Sequence, residues 1–100
     1  MHTALPLALL LSAYAGLAVA WKFDVSYDDG TTLHFNGHTN SGCTKFKKSD
    51  ADVNNVHFEG SSLADTFELF HDERCHDLGY KGKKGVNNVP TGQYASYKVY

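Results

Sequence analysis

The side chains in this chain that could carry chemistry are histidines, cysteines and carboxylates. His34 and His38 lie four apart, and His71 and His76 bracket Cys75 beside Asp72 and Asp77. These are the residue types of a transition-metal site. A spacing of four brings two imidazoles together on a helix, but not on a strand running into a loop. Cys75 with His71 or His76 also has the types of a thiol nucleophile and its base. Both readings need a free thiolate, and pairing of Cys75 with Cys43 would remove it, so the histidines are expected as exposed turn residues. The chain has no glycine-rich phosphate loop, nucleophile elbow, paired carboxylates at a recognisable spacing, or Asn-x-Ser/Thr acceptor. Nothing here reads as catalytic, and a non-enzyme is expected.

What must position these residues begins after an apolar leader. Leu5 to Ala20 is almost uninterrupted apolar sequence ending in Ala18-Val19-Ala20, the layout of a secretory signal with cleavage after Ala20. At about 16 residues the run is short of the roughly 20 that a membrane-spanning helix needs. The expectation is therefore an exported chain, with residues 1–20 as signal peptide, residues 21–100 as one domain, and no membrane-spanning segment in the mature part.

Beyond position 20 the chain has four Leu, six Val and six Phe, and no Ile. Aromatic rings must then supply much of the buried area, and a domain of this size is marginal without a staple. Cys43 and Cys75 form an even pair in an oxidising compartment. Closing their 33-residue loop is worth roughly 3 to 4 kcal/mol in the chain-entropy model. The alternative is that one or both thiols stay free or bond to a partner.

The mature chain reads as strands and turns. Trp21 to Tyr27 places apolar residues at every odd position, the period of a half-buried strand. Asp28-Asp29-Gly30 turns the chain, and Thr31 to Phe35 alternates back with Leu33 and Phe35 inward, a hairpin. Further strands are expected at Val53 to Phe58, Thr66 to Phe70, a short one through Leu78 and Tyr80, and Ala95 to Tyr100. Residues 36–42 and 82–92 are expected as loops. A helix over 61–75 would place Leu63, Phe67 and Phe70 at helical spacing, but Thr66, Phe67 and Phe70 favour a pleat.

Nine Lys and Arg stand against eleven Asp and Glu, a formal charge of -2. General polyanion binding is unsupported, and no nucleic-acid partner is expected. Two basic clusters stand out, Lys45, Lys47 and Lys48, and Lys81, Lys83 and Lys84, each in a stretch without strand alternation. They read as solvated loops or as a surface for anionic headgroups or acidic polysaccharide.

The two halves share a plan: aromatic-led strand, turn, short strand, a loop with Gly and a basic cluster, then a closing strand. Asn55 and Ser96 hold equivalent places 41 residues apart. The expected fold is all-β, a small sandwich of two Greek-key motifs, 21–60 and 65–100, with one disulfide.

At Thr66-Phe67-Glu68-Leu69-Phe70-His71-Asp72-Glu73, followed by Cys75 and Leu78-Gly79-Tyr80, the chain resembles the opening hairpin of βγ-crystallin motifs. Ser96 falls where that family places a Ser that hydrogen-bonds back onto the folded hairpin. Val53 to Phe58 and the step into Asp65 are similar, with Asn55 in place of Ser. Cys75 replaces an aromatic, Asp77 replaces a Gly and so must take up positive φ, and the hairpin from Tyr27 to Phe35 is shortened. The chain also resembles small secreted fungal proteins of this type, some of them killer-toxin-like or effector-like.

The resemblance implies calcium sites just before the closing strands. The corresponding stretches begin at Asp50 and Thr91, and neither is intact: the first keeps Asp50 and could recruit Asp52, the second has no acid. Turn formation is the preferred role for these residues, and no cofactor is expected. The functional expectation is a secreted, non-enzymatic protein presenting loops to a cell-surface, cell-wall or host target, as a toxin, effector or antimicrobial protein does. The alternative is a calcium- or carbohydrate-binding structural module of the cell envelope.

Overall fold

The computed structural model describes residues 20–46 and 49–100. The expected leader, apart from Ala20, and Lys47 and Lys48 lie outside the described residues. Eight strands form, β1 (Trp21–Tyr27), β2 (Thr32–Gly37), β3 (Thr44–Lys45), β4 (Val53–Glu59), β5 (Thr66–Phe70), β6 (Leu78–Lys83), β7 (Gly85–Gly92) and β8 (Ser96–Val99). They build two antiparallel sheets in the orders β2-β1-β4-β7 and β3-β8-β5-β6. We call these the β1 sheet and the β5 sheet.

Each sheet takes three strands from one half of the sequence and its fourth from the other. β3 leaves β1, β2 and β4 to join β5, β6 and β8, and β7 makes the reverse move. The two orders are therefore the same pattern shifted by four strands. The exchange makes neither sheet complete without both halves.

Alternation explains β1, where every odd residue from Trp21 to Tyr27 is buried. The β1–β2 turn closes with Tyr27 N–H donating to Thr31 O at 2.8 Å, and Gly30 takes a φ of 92°, a left-handed conformation open to glycine at low cost. Rings from both sheets fill the space between them. The Phe23 centroid lies 5.1 Å from Phe67, 5.0 Å from Tyr97 and 6.1 Å from Phe58. The expected contribution of aromatic rings to the buried area is realised in these contacts, beside buried Val and Leu69.

Residues 61–75 contain β5 and turns, not a helix. Three expectations are corrected. The segment 82–92 is not a loop, because β6 continues to Lys83 and β7 fills Gly85–Gly92. Its Gly and Pro content hid a strand at the edge of its sheet, where Pro90 need not donate to a neighbour. Lys45, Lys81 and Lys83 consequently lie on strands rather than in loops. Among the described residues the non-glycine residue with positive φ is Cys75, at 57°, and not Asp77.

Candidate functional site

The β5–β6 connection folds back over the outer surface of its own sheet. Asp72 organises it: its carboxylate accepts the backbone N–H groups of His76 and Asp77 at 2.9 Å and of Arg74 at 3.2 Å. These bonds, that from Asp77 foremost, hold the Asp72 carboxyl below its ordinary pKa. The Asp72 carbonyl in turn accepts the Ser96 hydroxyl at 2.5 Å. Ser96 is fully buried although it faces outward on β8, because the folded hairpin covers it.

Cys75 sits at the crown of this hairpin and is bonded to Cys43, with Cα atoms 5.9 Å apart. Cys43 directly precedes β3, so the disulfide ties the crossed-over edge strand to the hairpin of the other half. Cys75 takes a left-handed backbone, φ 57°, which costs a non-glycine residue roughly 1 to 2 kcal/mol. Beside it the His71 ring stacks on Tyr94 at 4.7 Å, and His71 Nδ1 lies 2.8 Å from Gln93 O. A Cβ at Gly79 would stand 2.5 Å from Tyr94 and 2.7 Å from His71, so this stack requires glycine there.

Register places the lysines. Lys45 is opposite Ser96, Lys98 and Lys81 flank Glu68 from either side, and Lys83 is opposite Thr66. Directly paired residues share a face, so Lys45, Lys98, Lys81 and Lys83 all lie on the outer face of the β5 sheet. Lys98 Nζ lies 5.7 Å from the Phe70 ring centre and Lys81 Nζ 5.8 Å from that of Tyr100, whose hydroxyl donates to Glu68 at 3.0 Å. Lys83 Nζ donates to Thr66 Oγ1 at 2.6 Å and is 3.8 Å from Asp65. The Thr66 hydroxyl, and then Lys83, lower the pKa of the Asp65 carboxyl.

Lys84 lies apart from this group, its stem against the position that a Cβ at Gly60 would occupy. Lys98 was not among the lysines singled out by sequence. The alternation Ser96, Lys98, Tyr100 carries the signal, but it points to a shared face only once β8 is known to lie beside β5.

Charge on the two outer faces differs in sign. On the β1 sheet, Lys22 pairs with Glu59, and Asp24 stands between His34 and His57. His34 Nδ1 is 2.8 Å from Asp24 Oδ1. The acids Asp28, Asp29, Asp50 and Asp52 belong to neighbouring turns joined by Asp28 N–H donating to Asp52 O at 2.8 Å. Asp28 Oδ1 accepts the Asp52 N–H at 3.3 Å and Asp29 Oδ1 the Thr31 N–H at 2.9 Å, which accounts for two of these carboxylates as turn formers. Among the described residues no three His, Cys, Asp or Glu side chains are grouped to hold a metal ion. Asp50 and Asp52 belong to no such group, and neither do the candidate pairs His34 with His38 and His71 with His76.

Comparison with known proteins adds no identity: no family model matches the chain, and no curated protein or solved structure matches it.

Proposed function

We propose that this chain is a secreted, non-enzymatic binding protein of the toxin, effector or antimicrobial kind. In this reading residues 1–20 are a cleaved signal peptide, and residues 21–60 and 65–100 are two Greek-key motifs of βγ-crystallin type forming a sandwich. The observation that carries it is the pairing of a disulfide-tied, ring-packed scaffold with four lysines held on one sheet face. Rigid strands that fix charged side chains in register are suited to recognition. The exchange of β3 and β7 between sheets, and the Ser96 bond to the hairpin at Asp72, support the crystallin-type reading. The disulfide supports an oxidising destination.

A growth and viability assay against fungal, bacterial and plant cells tests the proposal, with reduced and alkylated protein as control. Dose-dependent loss of viability with the oxidised protein alone is expected; equal effects from both forms would reject action through the folded surface. A calcium titration separates the envelope-module alternative. Micromolar to millimolar calcium is expected to leave the melting temperature unchanged, and a rise would favour the alternative.

A further inference from the structure

We infer that the outer face of the β5 sheet binds an acidic polysaccharide along a diagonal line of lysines running from Lys45 through Lys98 and Lys81 to Lys83. The inference rests on the binding-protein reading above and names the partner of that same face. Lys45 stands on β3 level with Phe70, Lys98 on β8 and Lys81 on β6 level with Glu68, and Lys83 on β6 level with Thr66. With strands about 5 Å apart and alternate residues about 7 Å apart, these four positions run obliquely across the whole sheet over about 20 Å. Among the described residues Lys83–Asp65 is the only lysine–carboxylate pair, so Lys45, Lys81 and Lys98 keep their charge available.

The line sets four lysines against two carboxylates, Glu68 and Asp65, an excess of positive charge on a chain whose formal charge is -2. Its form selects the partner. Glu68 lies between Lys98 and Lys81 and holds the Tyr100 hydroxyl. A DNA backbone carries phosphates without hydroxyl donors and would meet that carboxylate repulsively. A sugar polymer that carries ring hydroxyls beside its acid groups places a donor there instead. Tyr100, 37% exposed with Lys81 near its ring, offers an aromatic flank to a sugar ring. Leu78, 50% exposed and paired with Phe70, lies on the same face; a surface that inserts into lipid uses several such side chains.

The test uses the full chain expressed in a secreting host, recovered oxidised from the medium, and titrated against soluble polygalacturonate. Wild type is expected to bind at low ionic strength and to weaken as salt rises. The combined variant K45S/K81S/K83S/K98S, checked for unchanged circular dichroism, is expected to weaken binding by at least about tenfold. K22S on the opposite face should stay within about twofold of wild type. Unchanged binding by the four-lysine variant, equal binding to fully methyl-esterified polymer, or binding to phosphatidylserine vesicles in place of the polymer would each overturn the inference. Should polygalacturonate fail while the oxidised protein still binds cells saturably, the polysaccharide is rejected and the binding function stands. Should cell binding fail as well, both are rejected.

Discussion

The Ser96 hydroxyl donates to the backbone carbonyl of Asp72 across 24 residues of sequence, and Ser96 is sealed under the hairpin that the bond secures. Replacing Ser96 by Ala leaves that half-buried carbonyl without its partner and a gap where the buried hydroxyl stood. The expected cost is about 1 to 3 kcal/mol, or roughly 4 to 8 °C in melting temperature per kcal/mol for a domain this small. Thermal unfolding of S96A checks this, and an unchanged midpoint would contradict it.

Asp72 makes the same hairpin sensitive to acid. Its folded pKa is depressed by the Asp77, His76 and Arg74 amides. The stabilisation is therefore present above the unfolded value of about 4 and is lost as pH falls through the lower folded value. Asp29 and Asp65 are shifted in the same direction, by the Thr31 amide and the Thr66 hydroxyl respectively. Melting temperature should be flat near neutrality and fall below about pH 4. D72N should be less stable than wild type at pH 7, and the gap should narrow in acid; a constant gap across the range would contradict the assignment.

The disulfide closes the loop between residues 43 and 75, a separation of 32. Its removal in C43A/C75A is expected to cost about 3 to 4 kcal/mol through the unfolded chain. That is a large part of the 5 to 15 kcal/mol typical of a folded domain. Denaturant midpoints of the variant and the oxidised protein measure it. A loss well under 1 kcal/mol would mean that the hairpin and β3 are held by other contacts.

Tyr27 supplies an opposite sign. Its side chain is 5% exposed and its hydroxyl is buried without a partner among the described residues. Burial, with Asp29 nearby, raises its pKa. Phe keeps the ring and removes the unpaired oxygen, so Y27F is expected to be neutral or to gain up to about 1 to 3 kcal/mol. Clear destabilisation would show that the hydroxyl has a partner.

The sequence made most of the fold legible where alternation was strong. Trp21 to Tyr27 and Thr66 to Phe70 are strands with the bounds expected, and Val56 and Phe58 are buried on the face that excludes His57. β7 was hidden because Gly85, Pro90 and Gly92 are turn residues by composition, and only an edge position makes them acceptable in a strand. β3 is two residues long, too short to show any period. The lysine face was half legible. Lys45, Lys81 and Lys83 stand out as clusters, but their alignment with Lys98 depends on cross-strand register, which local sequence does not encode. Positive φ falls at Cys75 rather than Asp77, in a hairpin folded by Asp72 and tied to distant Cys43, contacts that local turn chemistry does not encode.

Equilibrium binding of labelled oxidised protein to intact cells, compared with the reduced and alkylated form, tests most directly the claim that a folded surface does the work. Saturable binding by the oxidised form that is lost on reduction is the predicted result. Binding that survives reduction undiminished, or an absence of saturable binding to any surface tried, would contradict it.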